Sequence, residues 1–181
     1  MIIIETARLI LRDYNEDDIL FLAEINADER VMEFFPRTLD LVETQDFVVL
    51  QSESIAQNKF GFFALEKKET REFIGFVGLK EVNFKAPFTP AVEIGWRIAH
   101  DQWNQGFATE AAKAVLDYGF NKINLQEIVS FAAKINKKSQ RVMEKIGMKR
   151  DENDDFLHPN INKDHFLAPH VLYRIANNSR S

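Results

Sequence analysis

The 181-residue sequence contains no cysteine. The chain therefore cannot form a disulfide, a thiolate metal site or a covalent thiol intermediate. The absence of disulfides fits a reducing compartment. With 45% hydrophobic and 28% charged residues, the chain is long enough to bury a core without cross-links, and we expect one domain spanning residues 1–181.

The sequence also lacks a long apolar run near its N-terminus. Met1 and three isoleucines are followed at once by Glu5 and then by Arg8, and no basic segment precedes them. This is too short for a signal sequence or a membrane span. We expect an untargeted, cytoplasmic protein with no membrane partner.

An excess of positive charge is missing as well. The formal net charge is −5, and the basic residues are dispersed among acidic ones. Nucleic-acid binding needs clustered Lys and Arg, so we expect no nucleic-acid partner. A net acidic surface favours, weakly, a cationic amine as a ligand.

The four histidines do not have the spacing of metal ligands. They are His100, His158, His165 and His170. No His-x-x-x-His or Glu-x-x-His pair occurs among them, so we expect no metal site. His158 or His170 could line a pocket, although a solvated loop histidine and a hydrogen-bonded strand histidine are the commoner outcomes.

The period of the apolar residues predicts the order of secondary structure. Alternating stretches predict strands at 6–12, 60–66, 73–82, 91–99, 127–132 and 170–175. Helical spacing predicts a helix ending near 26, a second at 41–57 opened by Thr38, a third at 107–123 and a fourth capped by Asn136. This order predicts an α/β domain with a mixed sheet and about four flanking helices. In the strand at 91–99, Glu93 and Arg97 share the face opposite the apolar residues.

The segment between that strand and the next helix is suited to bind an anion. Gly106 lies in the turn, and the first amides of a helix lack intrahelical partners at the positive end of its dipole. One glycine in such a turn is a weak signal, because it also serves a strained backbone angle. The turn has neither the lysine of a P-loop nor the three glycines of a dinucleotide fingerprint, which disfavours a nucleotide-binding protein.

The segment WNQGFATEA, which starts at Trp103, resembles the pyrophosphate-binding loop of the GNAT superfamily of N-acetyltransferases. The branch it resembles is that of the ribosomal-protein N-terminal (alanine/serine) acetyltransferases. Further motifs of that branch occur in order and extend the resemblance over nearly the whole chain: Thr6 to Arg12, Glu93 to Trp96, Asn136 to Met148, Asp155 to Pro159 and His170 to Arg174.

The resemblance implies a mixed, mostly antiparallel sheet, splayed at a cleft that binds acetyl-CoA as co-substrate. It also implies a set of cofactor-binding residues. Backbone groups of Trp96 and Ile98 would pair with the pantetheine arm. The amides of Gln105, Gly106, Phe107, Ala108 and Thr109 would hold the pyrophosphate, and Asn136 and Ser139 would contact the arm from the next helix.

The implied reaction is acetyl transfer to a primary amine by direct attack in a ternary complex. The acceptor would be a protein N-terminus or a small molecule, and the protein a monomer or homodimer. Glu93 is the expected general base, because an ammonium near pKa 10 must lose a proton before attack. The alternative is a carboxylate paired with Arg97 or a neighbouring base. An amide near Ile98 would bind the oxyanion.

Three departures from the family pattern affect this interpretation. Trp103 and Asn104 replace the usual Arg or Gln and the usual Gly at the start of the loop. Met143 stands where many members have a tyrosine that protonates the leaving thiolate, and methionine cannot donate a proton. Ser139 or water would then serve as acid. The alternative is a non-catalytic acyl-CoA-binding or regulatory module.

Two further groups of residues leave alternatives open. Phe34 and Phe35, in the break between the first two helices, either shape the acceptor pocket or staple the helices together. Lys137, Lys138 and Arg141 either meet the phosphates of the coenzyme or form a solvated helix face.

Overall fold

The structure is a computed structural model that describes residues 1–177. Two strands come first, β1 (Ile2–Glu5) and β2 (Leu9–Arg12), followed by two helices, α1 (Asp18–Ala27) and α2 (Leu41–Asn58). Three strands and a helix follow: β3 (Phe62–Lys67), β4 (Phe73–Glu81), β5 (Val92–Ile98) and α3 (Phe107–Asn121). The remaining elements are β6 (Glu127–Ala133), α4 (Lys137–Lys145), β7 (Lys149–Arg150), β8 (Phe156–Leu157) and β9 (Pro169–Ala176).

The strands form one open, mixed sheet in the order β1-β2-β3-β4-β5-β6-β9-β7, with β8 paired to β9. Within residues 1–177, β5 and β6 are the one parallel pair and all other neighbours are antiparallel. A parallel pair needs a crossover, which α3 provides. The α/β class, the mostly antiparallel sheet and the four helices agree with the prediction.

Two details of the N-terminal prediction were wrong. The strand predicted at 6–12 is confined to Leu9–Arg12, because the amide of Thr6 donates to the Leu9 carbonyl (3.0 Å) and closes a turn between two strands. The cap of α2 is Asp40, not Thr38. Asp40 accepts from the Glu43 amide while Glu43 reaches back to the Asp40 amide, which is a capping box.

The sheet is covered on both faces. On one face, α3 buries Ala111, Ala112 and Val115, and α4 buries Met143 against the same core. On the other face, residues of α1 and α2 form a second core with two sheet phenylalanines. This second core contains Leu22, Ile25, Val31, Val48, Phe62 and Phe76. No helix within residues 1–177 is long and apolar enough to cross a membrane.

A buried ionic network ties α1 to the sheet. The guanidinium of Arg12 on β2 contacts Asp18 (2.6 Å) and Glu66 (2.7 Å), and these side chains are less than 10% exposed. The guanidinium of Arg71 contacts the other oxygen of Glu66 at 2.7 Å. Asp18 and Glu66 raise the pKa of the Arg12 guanidinium above its ordinary value, so Arg12 stays charged. Asp18 thus anchors the first helix to the sheet.

We expect Arg12→Met to destabilise the fold strongly. Removing one member of a buried ionic network leaves the other charges without compensation, and the cost is about 3–5 kcal/mol. Chemical denaturation followed by circular dichroism measures it. The matched control is Arg30→Met, at an exposed arginine whose partner is Asp28, for which a loss below about 1 kcal/mol is expected. Equal losses in the two variants would contradict the structural role of the network.

Candidate active site

The site begins where β5 and β6 separate. The two strands pair at Glu93 and Val129, and one residue further on the hydroxyl of Ser130 donates to the Ile94 carbonyl (2.9 Å). Beyond that bond the strands diverge, and a cavity of about 1110 Å³ opens between β5, β6, α3 and α4. The parallel pair is therefore held together at one end and open at the other.

Every second residue of β5 points its backbone amide and carbonyl into this gap. The Val82 amide donates to the Ala91 carbonyl and the Ala99 amide donates to the Ile74 carbonyl, both at 2.9 Å. In an antiparallel ladder these pairs alternate, so the odd-numbered residues of β5 bond to β4. The amides of Trp96 and Ile98 consequently point towards β6, where no strand pairs with them. The Ile98 carbonyl accepts a bond from the indole Nε1 of Trp103 (2.8 Å).

The loop before α3 presents free amides to the same cavity. Gly106 is the N-cap of α3, has φ 82° and provides no side-chain cap. Asn104 also has a positive φ, 62°, a conformation that Asn tolerates better than most residues. This explains its presence where the family usually has glycine. The cavity is lined by Gln105, Gly106, Phe107, Ala108 and Thr109.

The N-terminal motif holds this loop in place. The guanidinium of Arg8 donates to the Gln105 carbonyl (3.0 Å) and to Glu110 (2.6 Å), and it lies 4.7 Å from the centre of the Phe107 ring. The hydroxyl of Thr6 donates to Glu110 at 2.6 Å. The Thr6 to Arg12 segment therefore braces the loop from outside the cavity.

The start of α4 forms the opposite wall. The side-chain oxygen of Asn136 accepts from the Ser139 amide (3.0 Å), and both residues line the cavity. The hydroxyl of Ser139 bonds to none of the described residues. Met143, one turn further, is 1% exposed and packs in the core. Lys138 is exposed at the rim, with its ammonium 4.4 Å from the centre of the Trp103 ring.

Glu93 lines the cavity on the face of β5 that looks towards α1 and α2. Burial raises its pKa from the ordinary 4.5 to about 7, and the positive charge of Lys80 opposes part of that rise. Within residues 1–177, its carboxyl makes no hydrogen bond or ion pair. The alternative of a Glu93–Arg97 pair is therefore not realised in the structure.

Arg97 forms a hydrogen bond with Asn26 on α1 instead of an ion pair with Glu93. Its Nη1 donates to the side-chain oxygen of Asn26 (2.5 Å), and Asn26 in turn donates to the hydroxyl of Thr44 (2.9 Å). The guanidinium lies between the rings of Phe35 and Phe76, 4.5 and 5.3 Å from their centres. Burial lowers the pKa of Arg97 to about 10, so it keeps its charge at neutral pH.

The cavity wall next to Arg97 is aromatic. Phe34 and Phe35 line it. The wall continues with Phe47, Phe62 and Phe76, whose rings stack on one another with centres 5.0–6.1 Å apart. Phe62 and Phe76 belong to the second core as well as to the cavity wall, whereas Phe63, the next residue along β3, faces the other core.

Two histidines complete the far end of the cavity. His170 donates from Nδ1 to the Ala168 carbonyl (3.1 Å), and burial lowers its pKa to about 4. His158 lies 4.7 Å from Phe84, ring centre to ring centre, and burial lowers its pKa as well. His170 is thus a hydrogen-bonded strand histidine, whereas His158 is half-buried beside aromatic rings. No cluster of three or more potential metal ligands occurs in the part of the chain that the structure describes.

The chain is similar to known acetyltransferases in both sequence and structure. Residues 8–149 match the family described as the acetyltransferase (GNAT) domain. An uncharacterised N-acetyltransferase of Bacillus subtilis, YnaD, is 32% identical over 148 residues, which cover 82% of this chain and 83% of the relative.

Two solved structures illustrate the shared fold. A GNAT-family acetyltransferase from Bacillus anthracis superimposes with a TM-score of 0.79 at 28% identity, covering 97% of this chain and 98% of the other. The ribosomal L7/L12 alpha-N-protein acetyltransferase RimL, solved with coenzyme A, gives 0.77 at 15% identity, with coverage of 97% and 98%. From the family match over most of its length, this chain belongs to the GNAT family of acetyltransferases.

Proposed function

We propose that the protein transfers the acetyl group of acetyl-CoA to a primary amine by direct attack in a ternary complex, with the chain acting as one catalytic unit. The observation that carries the proposal is the single cavity shared by the uncapped N-terminus of α3, the open edge of β5 and the carboxyl of Glu93. A cavity of about 1110 Å³ has room for an extended cofactor arm and a small acceptor.

The coenzyme fits the residues that line the cavity. The free amides from Gln105 to Thr109 and the dipole of α3 suit a pyrophosphate. The unpaired amides of Trp96 and Ile98 suit the amide groups of a pantetheine arm lying as an added strand. Asn136 and Ser139 would contact the arm from the other side. The RimL structure with coenzyme A supports this placement by analogy of fold.

Glu93 is the proposed general base. A carboxylate with a pKa of about 7 is half-deprotonated at neutral pH and accepts a proton from an ammonium directly or through water. The amine nitrogen then attacks the thioester carbonyl, and the unpaired amide of Ile98 stabilises the oxyanion. The C–S bond breaks as the carbonyl re-forms, and the nitrogen releases its second proton to water as the neutral amide forms. The hydroxyl of Ser139, which has no partner among the described residues, or a water would protonate the thiolate.

A non-catalytic acyl-CoA-binding module is the second candidate, and the buried Met143 is what favours it. Methionine in the core cannot act as an acid. The raised pKa of Glu93 supports catalysis instead, because perturbed acids in clefts are typical of working sites. The acceptor would be a small molecule or a protein N-terminus in the cytoplasm.

We expect Thr109→Glu to weaken acetyl-CoA binding. The new carboxylate would lie in the first turn of α3, beside the proposed pyrophosphate site, and repel it. An acidic residue in that turn favours the helix, so a loss of binding would not reflect unfolding. The neutral control of nearly equal shape is Thr109→Gln. Calorimetry should give an affinity at least about 10-fold lower for Glu than for Gln. Equal affinities would place the pyrophosphate elsewhere.

We expect Glu93→Gln to remove the inflection near pH 7 from the pH profile of the chemical step. In the wild type, kcat/KM should rise through pH 7 as the carboxyl loses its proton. The glutamine variant should be slower by about 100-fold or more and lack that inflection. The assay follows release of CoA with a thiol reagent, using phenylalanine, phenethylamine, spermidine and an alanine-initiated peptide as acceptors.

Two controls separate catalysis from binding. Acetyl-CoA affinity should be unchanged in Glu93→Gln, since the carboxyl is assigned to the acceptor. The protein has no cysteine, so the thiol reagent has no background from the chain. Full activity of Glu93→Gln at every pH would exclude Glu93 as the base.

A further inference from the structure

The charge of the cavity differs from the charge of the protein. The chain has a net charge of −5, but in the described structure Glu93 is the one acidic residue that lines the cavity. The basic residues that line it are Lys80, Arg97, Lys137, Lys138, Arg141 and Lys145. The lining is therefore cationic, although the chain as a whole is acidic.

The guanidinium of Arg97 places a positive charge in the apolar part of the cavity wall. The guanidinium of Arg97 is fixed by Asn26 at Nη1 (2.5 Å) and by the two aromatic rings on its faces. Its buried Nε has no partner, and its Nη2 donates to none of the described residues. The two nitrogens form the edge through which arginine binds a carboxylate with two parallel bonds. Arg97 lines the cavity, so this edge is the part of the guanidinium that we assign to a ligand.

The surface between Arg97 and Glu93 is flat and apolar. Both side chains lie on the same face of β5, four residues apart, so their Cα atoms are about 14 Å apart. Gly95 lies between them on that face and adds no side chain. A Cβ there would lie 3.1 Å from the ring of Phe62, so that ring forms the floor.

We propose that the acceptor is a small primary amine with an apolar, preferably aromatic, body and a carboxylate, and that Arg97 binds the carboxylate. This rests on the proposed function. The amine is directed towards Glu93, the body lies on Phe62 beside Phe35 and Phe76, and the carboxylate meets the free edge of the guanidinium. Arg97 is a specificity-determining residue. A polyamine is disfavoured because the cavity would face its several positive charges with one acid.

The first test compares acceptors that differ only in the carboxylate. The pair is 4-(aminomethyl)benzoate, whose ring separates the amine from the carboxylate, and benzylamine. In the wild type, the carboxylate should exceed its uncharged partner in kcat/KM, and Arg97→Met should reduce that ratio by about 10-fold or more. Arg97→Lys should retain part of it. Arg30→Met, at an exposed arginine outside the cavity, should leave it unchanged.

A second test needs no turnover. Calorimetry measures the affinity of 3-phenylpropionate and of 3-phenylpropanamide for the protein with and without bound CoA. The wild type should prefer the carboxylate, and Arg97→Met should not. Because Asn26 is 0% exposed and loses its partner in that variant, its thermal melt and acetyl-CoA affinity are measured first. If Arg97→Met fails to fold, Arg97→Lys is measured in its place.

The outcomes separate the two proposals. No preference for carboxylate in the wild type, the same preference in all Arg97 variants, or spermidine as the best acceptor would overturn the inference about Arg97. Failure of the wild type to bind acetyl-CoA would overturn the proposed function. Binding of 3-phenylpropionate that depends on Arg97 would, in that case, still support an anion subsite in the cavity.

Discussion

The divergence of β5 from β6 is the constraint on which the rest of the site depends. Inside a continuous sheet the backbone groups of each strand bond to its two neighbours, so none of them is left for a ligand. The parallel pair requires α3 as a crossover, which brings the N-terminus of a helix to the edge where the two strands end. Two interactions fix the point at which β5 and β6 separate: the pairing of Glu93 with Val129 and the hydrogen bond from the Ser130 hydroxyl to the Ile94 carbonyl. Beyond this point, the amides of β5 and of α3 face the same space.

The packing around α1 and the second core carries some cost to stability. The hydroxyl of Tyr14 and the Nε of Arg97 are buried without a partner in the described structure, and burial raises the pKa of Tyr14. A buried polar group without a hydrogen bond destabilises a fold. Packing alone would favour an apolar residue at position 97, beside Phe35 and Phe76. A cation in that position is a local inconsistency of the kind that concentrates at functional sites.

The fold was largely predictable because its central elements have strong periods. The apolar alternation of β5 and the stripe of α3 lie in long, uninterrupted stretches. β1 was missed because Ile2 to Ile4 form a short continuous run without alternation. The contact of Arg97 with Asn26 joins residues 71 positions apart, and no local pattern encodes it. The motif at Thr6 to Arg12 was identified by resemblance, but its role in bracing the loop needed the coordinates.

The position of Met143 is better understood from the proton balance of the proposed reaction. At neutral pH an amine of pKa about 10 is about 99.9% protonated, so its activation costs about 4 kcal/mol. A thiolate whose acid has a pKa of about 8.5 takes up a proton spontaneously in water at that pH. Deprotonation of the amine is therefore the more costly proton transfer. Glu93, the carboxyl in this cavity whose pKa is raised, is the group proposed to carry it out. A methionine that fills the core, 1% exposed, removes a helpful acid and leaves the essential requirement, a deprotonated amine beside Glu93, intact.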